Sequence, residues 1–286
     1  MVVPTLGRYV LLRNCLESIR RQSYGDFELI VVHDGEDTGA VQELVDSNGG
    51  RYLKSPRRGC VPTYNAGLKA SSGEVVAFTD DDAVPGPNWL SELVGTYREG
   101  VGGVGGVVIE ARSHKDLGPW VNEIVSVDHL SGANMSFDRE AITKTGVFDS
   151  NYKGDGFRFE SDYCIRVKRM GFAILYNPQA QVVHYGSNIR RVPKGWNFRR
   201  AYYYNRNNTY FSLRNLAVAK TSNKVLYETS FGMTLRVLKG ARNMAKEAFV
   251  NRDRVWVFSL IGLISGVRAY TTSRIWGHHP DLKSRV

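Results

Sequence analysis

Three consecutive aspartates, Asp80, Asp81 and Asp82, follow a short apolar segment at residues 75–78. Adjacent carboxylates repel one another, so such a cluster is costly unless a cation or strong hydrogen-bond donors neutralise it. Hard divalent cations such as Mg²⁺ prefer carboxylate oxygens, and the phosphates of a substrate often complete their coordination. The triplet is therefore typical of a divalent-metal site, and the alternative is a solvated acidic turn.

The elements before the triplet indicate where it lies in the fold. Strand-like apolar runs alternate with segments of helical apolar spacing, at residues 2–5, 9–21, 27–32, 40–47, 51–54, 63–70 and 75–78. This alternation predicts an α/β fold with a parallel sheet, in which ligands bind at the carboxyl ends of the strands. Pro4, Thr5 and Asp34 lie at the ends of two of these strands. We therefore expect them to converge with the triplet on one crevice, which favours the metal site.

The middle of the chain continues in the same style. Further helices and strands are predicted at residues 89–98, 102–109, 132–137, 138–145, 160–170, 173–176 and 181–184. The segment at residues 150–159 is rich in glycine, acids and aromatics and is predicted to be a mobile loop over a binding site.

Composition and length exclude several classes of protein. The 286 residues are 42% apolar and 23% charged, as in an ordinary soluble protein of one large domain or a domain with an appendage. The three cysteines lie far apart, which excludes a disulfide framework and a cysteine zinc site. The first residues lack the basic start and long apolar core of a signal peptide, so a cytoplasmic location is expected.

The positive charge of the chain is concentrated in its last third. Residues 1–185 hold 19 Lys and Arg against 24 Asp and Glu, whereas residues 186–286 hold 19 against 4. This asymmetry predicts a polyanionic partner, either nucleic acid or an anionic membrane, with a merely solvated basic face as the alternative. The apolar run at residues 256–264 is shorter than the roughly 20 residues of a spanning helix. It fits a helix that packs on the protein or lies in a bilayer interface.

A set of short motifs occurs along the chain in a fixed order: Val3-Pro4-Thr5, Asp34-Gly35-Glu36-Asp37, Tyr64-Asn65-Ala66-Gly67, Asp80-Asp81-Asp82, Gly132-Ala133-Asn134-Met135, Glu160-Ser161-Asp162 and Val182-Val183-His184. This ordered set resembles the family 2 glycosyltransferases, which are inverting enzymes of the GT-A fold. Each motif is weak alone, and the ordered set is specific.

The resemblance implies a GT-A domain at residues 1–215, with a Rossmann-like, mostly parallel sheet flanked by helices. Residues 1–110 would form its nucleotide-sugar half and residues 111–215 its acceptor half, with residues 216–286 as a basic helical extension. It further implies transfer of a sugar from a nucleotide-diphosphate sugar, chiefly a UDP-sugar, to a lipid-linked or growing glycan. Mg²⁺ or Mn²⁺ would be the cofactor.

The resemblance also implies roles for individual residues on the donor side. Pro4, Thr5 and Asp34 would hold the nucleotide base, and Asn65 would lie beside the nucleotide. Relatives often carry Arg where this chain has Tyr64, so the positive contact to the nucleotide would come from Arg8 or Arg58. The metal would be bound by the side chains of Asp80, Asp82 and His184. Asp80 would also face the ribose, and His184 would alternatively contact the diphosphate. Asp81 is expected to be a solvated acid.

On the acceptor side, the resemblance implies that Asn134 borders the sugar and that Glu160 is the general base. Asp162 remains a rival for the base, because the chain reads Phe159-Glu160 where relatives have a Glu-Asp pair. Glu160 and His184 also have purely structural alternatives, as a first-turn helix acid and as a hydrogen-bonded strand residue.

Two other functions remain open alternatives. The basic and aromatic tail is the combination with which proteins bind single-stranded nucleic acid, although no RNA-binding motif is present and no nucleic acid is expected as a partner. A nucleotidyltransferase is the second, although the glycine-rich phosphate loop expected near the start is missing. For the tail we instead expect docking on the cytoplasmic face of an anionic membrane.

Overall fold

A computed structural model describes residues 1–36, 39–56, 58–111, 115–119, 121–186, 198–215 and 255–275. Asp37 and most of the extension predicted at residues 216–286 lie outside these ranges. The chain forms two compact units. The first comprises Met1–Phe148, Tyr163–Ile189 and Arg285–Val286, and the second comprises Asp149–Asp162 and Arg190–Ser284. The predicted boundary at residue 215 stays a prediction.

The predicted alternation of strands and helices is confirmed. The elements are β1 (Val2–Thr5), α1 (Tyr9–Arg20), β2 (Ile30–His33), α2 (Ala40–Ser47), β3 (Arg51–Lys54), α3 (Cys60–Ala70), β4 (Val75–Phe78), β5 (Ala83–Pro85), α4 (Trp89–Thr96), β6 (Val101–Glu110), β7 (Lys115–Leu117), β8 (Val125–Ser126), β9 (Met135–Asp138), α5 (Arg139–Thr145), α6 (Phe159–Arg169), β10 (Ala173–His184), α7 (Phe198–Asn215) and α8 (Val255–Ile275).

The sheet of the first unit has the strand order β3-β2-β1-β4-β9-β6-β10-β5. Strands β1, β2, β3 and β4 pair in parallel, β9 is antiparallel to both β4 and β6, and β10 is parallel to β6. Six of these eight strands therefore run in one direction, and β5 closes the edge in the opposite one. As a consequence, the carboxyl ends of β1, β2, β4, β6 and β10 lie along the same side of the sheet.

Burial explains why these segments form strands and helices. Val2, Val3 and the run Ile30–Val32 are fully buried, as expected for parallel strands that are covered on both faces. In α1 the buried residues Leu12, Cys15, Leu16, Ser18 and Ile19 form one face of the helix. Each large apolar side chain buried in this way contributes about 1.5–3 kcal/mol.

One strand begins later than the sequence pattern predicts. The apolar run starts at Phe27, but β2 begins only at Ile30. Glu28 instead accepts hydrogen bonds from the backbone N–H groups of Ser72 and Gly73, at 2.6 and 3.2 Å. This carboxylate therefore links the start of the run to the α3–β4 loop.

Strand β10 was predicted as two strands and is one strand with an irregularity in its middle. Asn177 pairs with Gly106 and Val182 with Val108, so four residues of β10 lie opposite the single residue Val107. Asn134 holds this bulge, since its Nδ2 donates to the carbonyl oxygens of Val107 and Ala180 at 2.9 and 2.7 Å. The bulge sets the register of the last part of β10, which ends at His184.

The second unit contains α7 and α8, which pack closely on each other. Gly262 and Gly266 of α8 face the backbone of α7, where an added Cβ would collide with the carbonyl oxygens of Tyr202 and Arg206. The opposite face of α8 exposes the side chains of Ile261, Ile264 and Val267, at 47%, 59% and 41%. Among the helices of the described residues, none combines the length and apolar character that a membrane crossing requires.

The loop predicted to be a lid belongs to the second unit and is bonded to α7. Asn207 donates to the carbonyl oxygen of Lys153 at 2.8 Å and accepts the N–H of Lys153 at 3.2 Å. Arg206 donates to the carbonyl oxygen of Asn151 at 2.6 Å. The mobility of this loop stays a prediction.

Candidate functional site

The three aspartates after β4 have different surroundings. Asp80 is partly exposed, with 33% of its side chain accessible, and Asp82 is 6% exposed. Asp81 is 1% exposed, so the expectation that it is a solvated acid is wrong. The hydroxyl of Thr5 donates to Asp81 at 2.5 Å, and the guanidinium of Arg8 forms an ion pair with it. These two donors stabilise the carboxylate of Asp81, which supports a structural role for this acid and not a role in metal binding.

Asp80, Asp82 and His184 come together as the sequence predicted. Each offers one ligand atom, and these atoms all lie within 4.8 Å of one another. His184 Nε2 is 3.3 Å from Asp82 Oδ1 and 3.9 Å from Asp80 Oδ2. Two carboxylate oxygens and an imidazole nitrogen fit a divalent cation of the Mg²⁺ or Mn²⁺ type.

Each of these three side chains is held by a neighbour through its other polar atom. The bonds are Tyr64 Oη to Asp80 Oδ1 at 2.8 Å, Arg8 Nη1 to Asp82 Oδ2 at 2.8 Å, and His184 Nδ1 to Glu110 Oε1 at 2.9 Å. The facing atoms are thus oriented by contacts outside the cluster, which is how metal ligands are commonly preorganised.

The charges of the cluster shift its pKa values in a consistent way. The hydrogen bond with Asp82 is the largest cause that raises the pKa of His184, to about 9. Burial by itself raises the pKa of Asp82, but the hydrogen bond from His184 and the charge of Arg8 outweigh it and lower that pKa. Desolvation and the charge of Asp82 raise the pKa of Asp80. The carboxylates of the site therefore stabilise a positive charge that lies between them.

Arg8 lies at this site, but its guanidinium is bound to carboxylates of the chain. It pairs with Asp81 and, at 2.8 Å, with Asp82. The predicted contact of Arg8 with a nucleotide stays a prediction. Its observed contacts instead offset the charge of two of the three aspartates.

Apart from this cluster, a polar pocket lies beside the ends of β2 and β3. It has a volume of about 300 Å³ and is lined by Asp34, Gly35, Glu36, Lys54, Ser55, Pro56 and Arg58. Asp34 Oδ2 accepts the backbone N–H of Gly59 at 2.8 Å, which fixes the carboxylate at the pocket wall. Of the residues predicted to bind the nucleotide, Asp34 and Arg58 line this pocket, whereas Pro4 lies half-buried within β1.

Asn65 and Asn134 are buried, and both use their carboxamides to bond the protein itself. Asn65 accepts the N–H of Phe148 and donates to its carbonyl oxygen, both at 2.9 Å. Asn134 accepts the indole N–H of Trp89 at 2.8 Å, in addition to its bonds to the β10 bulge. Their predicted roles beside the nucleotide and the sugar stay predictions.

The two candidate bases lie at the start of α6, in the second unit. Asp162 is fully buried, and its Oδ1 accepts hydrogen bonds from Arg214 Nε at 2.8 Å and Asn215 Nδ2 at 3.3 Å. Arg214 Nη1 also lies 3.4 Å from Asp149 Oδ2. Glu160 is only half-buried. The two acids therefore differ in access, although they are separated by one residue.

Sequence reasoning missed Glu110 and the donor role of Tyr64. Glu110 is a lone acid at the end of an apolar strand, which is the same signal that pointed to Asp34. That signal would have identified it. The bond between Tyr64 and Asp80 depends on the approach of α3 to β4, which no local pattern reports.

Comparisons with known proteins give a consistent picture. The model of the family described as Glycosyl transferase family 2 matches residues 1–166. A glucosyl-dolichyl phosphate glucuronosyltransferase of Haloferax volcanii is 29% identical over 63% of this chain and 66% of its own length. A GalNAc(5)-diNAcBac-PP-undecaprenol beta-1,3-glucosyltransferase of Campylobacter jejuni is 26% identical over 67% of this chain and 64% of its own length. This chain thus covers just under two thirds of either relative.

The fold also resembles that of a solved structure. The mannosyltransferase PcManGT of Pyrobaculum calidifontis, in complex with GDP-Man and Mn²⁺, has a TM-score of 0.59 and 18% identity over 96% of this chain and 86% of its own. This likeness confirms the predicted α/β fold of the GT-A type.

Proposed function

The chain belongs to glycosyl transferase family 2 and is a glycosyltransferase. We propose that it transfers a sugar from a nucleotide-diphosphate sugar, foremost a UDP-sugar, with inversion at the anomeric carbon. The acceptor is a hydroxyl group of a lipid-linked or growing glycan. Two of the relatives carry names that specify a dolichyl phosphate or a PP-undecaprenol glycan. Neither a nucleic-acid-binding protein nor a nucleotidyltransferase is favoured by these matches.

The observation that carries the proposal is the cluster of Asp80, Asp82 and His184. These residues would hold a Mg²⁺ or Mn²⁺ ion, which supplies positive charge to neutralise the departing diphosphate. Arg8 and Tyr64 hold the carboxylates in place through the bonds described above. The pocket at Asp34 and Arg58 would accept the nucleotide base.

Glu160 is proposed as the general base. It accepts the proton of the acceptor hydroxyl while that oxygen attacks the anomeric carbon, and the bond from this carbon to the diphosphate oxygen breaks with its electron pair leaving on the diphosphate. The half-buried position of Glu160 supports this choice, because an acceptor must reach the base. The full burial of Asp162 and its ion pair with Arg214 support a structural role for that acid instead.

A donor screen tests the proposal directly. We expect a nucleotide-diphosphate sugar to raise the melting temperature of the full chain in the presence of Mn²⁺, because a ligand at 100 times its Kd adds about 2.7 kcal/mol of stability. UDP-sugars and GDP-sugars are compared, with and without Mn²⁺. Stabilisation that is identical with and without the ion contradicts the metal site, and no stabilisation by any nucleotide sugar contradicts the donor class.

We also propose that the protein acts at the cytoplasmic face of a membrane as a peripheral protein. The exposed apolar face of α8, at Ile261, Ile264 and Val267, lies in a region with 19 basic and 4 acidic residues. Apolar side chains with basic neighbours bind anionic lipid surfaces. Flotation of the full chain with anionic and with neutral vesicles tests this location. A truncation after Asn215 should abolish flotation, and unchanged flotation of that truncated chain contradicts the role of the tail.

A further inference from the structure

Besides Asp80 and Asp82, one acid of the described residues contacts His184, and this acid is Glu110. The two residues are register partners on the neighbouring parallel strands β6 and β10. Glu110 Oε1 lies 2.9 Å from His184 Nδ1, and the side chains are 30% and 22% exposed. Glu110 belongs to none of the motifs by which the family was identified.

The backbone of His184 is fixed on both sides. Its carbonyl oxygen accepts the N–H of Ala111 at 3.0 Å, next to β6. On its other side His184 pairs with Ala83 of β5, and the N–H of Tyr185 donates to the carbonyl oxygen of Asp82 at 2.9 Å. The strand position of His184 is thus tied to the aspartate turn, and only the rotation of its ring remains to be set.

A carboxylate at Nδ1 sets both the rotation and the tautomer of this ring. An ionised carboxylate can only accept a hydrogen bond, so Nδ1 must carry the proton in the bond to Glu110. In a neutral imidazole the lone pair then resides on Nε2. Nε2 is the atom that faces Asp82 and Asp80, at 3.3 and 3.9 Å.

We propose that Glu110 is a positioning residue, which orients His184 and fixes its tautomer so that Nε2 can bind the divalent cation together with Asp80 and Asp82. This inference rests on the proposed metal-dependent transfer. Carboxylates that accept the second N–H of a metal-bound histidine strengthen metal binding about 10- to 100-fold. Glu110 acts through His184 and needs no contact with the substrate.

The test compares Glu110→Ala and Glu110→Gln with wild type in the full chain. Mn²⁺ affinity is measured by electron paramagnetic resonance, and pulsed spectra report whether a histidine nitrogen is bonded to the ion. We expect Glu110→Ala to weaken Mn²⁺ binding about 10- to 100-fold. Glu110→Gln should weaken it less, because its amide oxygen still accepts the Nδ1–H bond. Glu99→Gln is the control, since Glu99 is exposed and precedes β6, at the opposite end of this strand from Glu110.

Several outcomes overturn the proposal, and they are separable from failure of the proposed function. Unchanged Mn²⁺ affinity in Glu110→Ala shows that Glu110 does not position the ligand. A wild-type spectrum without a histidine nitrogen signal shows that His184 does not bind the ion, even where transfer depends on the metal. Absence of Mn²⁺ binding overturns both the proposal and the metal site, and turnover in metal-free buffer then decides whether sugar transfer itself survives.

Discussion

Asp162 Oδ1 accepts a hydrogen bond of 2.8 Å from Arg214 Nε, and the exposed fractions of the two side chains are 0% and 1%. The pair joins the start of α6 to the end of α7 within the second unit. A carboxylate that is committed to a buried guanidinium is poorly placed to take a proton from an acceptor. This relationship separates Asp162 from Glu160, which the sequence left as rivals.

The first prediction concerns these two acids. Glu160→Gln should retain nucleotide-sugar binding and lose about 10²- to 10⁴-fold in kcat, because a general base contributes a factor of that size. Donor affinity by calorimetry and kcat with a saturating donor measure the two effects. Near-normal turnover in Glu160→Gln would move the role of base to Asp162.

Asp162→Asn is the companion variant, and it should act on stability. Removing one partner of a buried ion pair costs about 3–5 kcal/mol. We expect a loss towards the lower end of this range, because Asp149 Oδ2, 3.4 Å from Arg214 Nη1, still offsets part of the charge. Urea denaturation measures this loss. A variant that is as stable as wild type but inactive would contradict the structural role.

The second prediction concerns Asp82 and the metal. Asp82→Asn should abolish the dependence of nucleotide-sugar binding on Mn²⁺, because it removes a charged ligand from the cluster. Calorimetric titrations of the donor with and without Mn²⁺ measure this dependence. Asp46→Asn is a matched control, since Asp46 is an exposed acid in α2. An unchanged difference between the two titrations in Asp82→Asn argues against this ligand.

The third prediction concerns the hydroxyl of Tyr64. Tyr64→Phe removes the bond to Asp80 Oδ1 but keeps the ring, which packs against Phe78 and Phe148. We expect Mn²⁺ affinity to fall about 10-fold, as for other residues that orient metal ligands, while the melting temperature changes little. Equal Mn²⁺ affinity in Tyr64→Phe and wild type shows that the hydroxyl does not orient Asp80 for the ion.

The order of elements and the strand-end position of the three aspartates followed from the sequence, because both depend on local signals. Apolar runs that end in polar residues identified the strands, and the parallel direction brought their ends together. These signals predicted the α/β fold class and a metal site at the aspartate triplet. The grouping of His184 with Asp80 and Asp82 was implied only by the resemblance to the family 2 glycosyltransferases.

Register and long-range pairing did not follow from the sequence. Glu110 and His184 are 74 residues apart, and they meet only because the β10 bulge shifts the register by several residues. Asp81 was expected to be solvated, since nothing local reports that Thr5 and Arg8 bond it from 76 and 73 residues away. Such contacts depend on how elements pack, and a periodicity in one segment carries no information about its neighbours.

The fourth prediction concerns Asn134 and the β10 bulge. Asn134→Ala leaves the indole N–H of Trp89 and the carbonyl oxygens of Val107 and Ala180 without this partner. Each buried polar group left unsatisfied costs about 1–3 kcal/mol, so we expect a loss of several kcal/mol in urea denaturation. Thr143→Ala is the control, since the hydroxyl of Thr143 donates to the carbonyl oxygen of Arg139 in the same helix. A small loss of stability in Asn134→Ala would contradict this structural role and would favour the predicted role of Asn134 beside the sugar.

The last prediction concerns the exposed face of α8. Ile264 is 59% exposed on the side of α8 away from Gly262 and Gly266, so Ile264→Glu should leave the packing on α7 intact. The substitution places a negative charge within the apolar stripe, and we expect it to reduce flotation with anionic vesicles strongly. Gln42→Glu adds the same charge at an exposed position of α2 and should reduce flotation only slightly. Equal flotation of both variants would mean that net charge alone, and not the apolar stripe, binds the lipid surface.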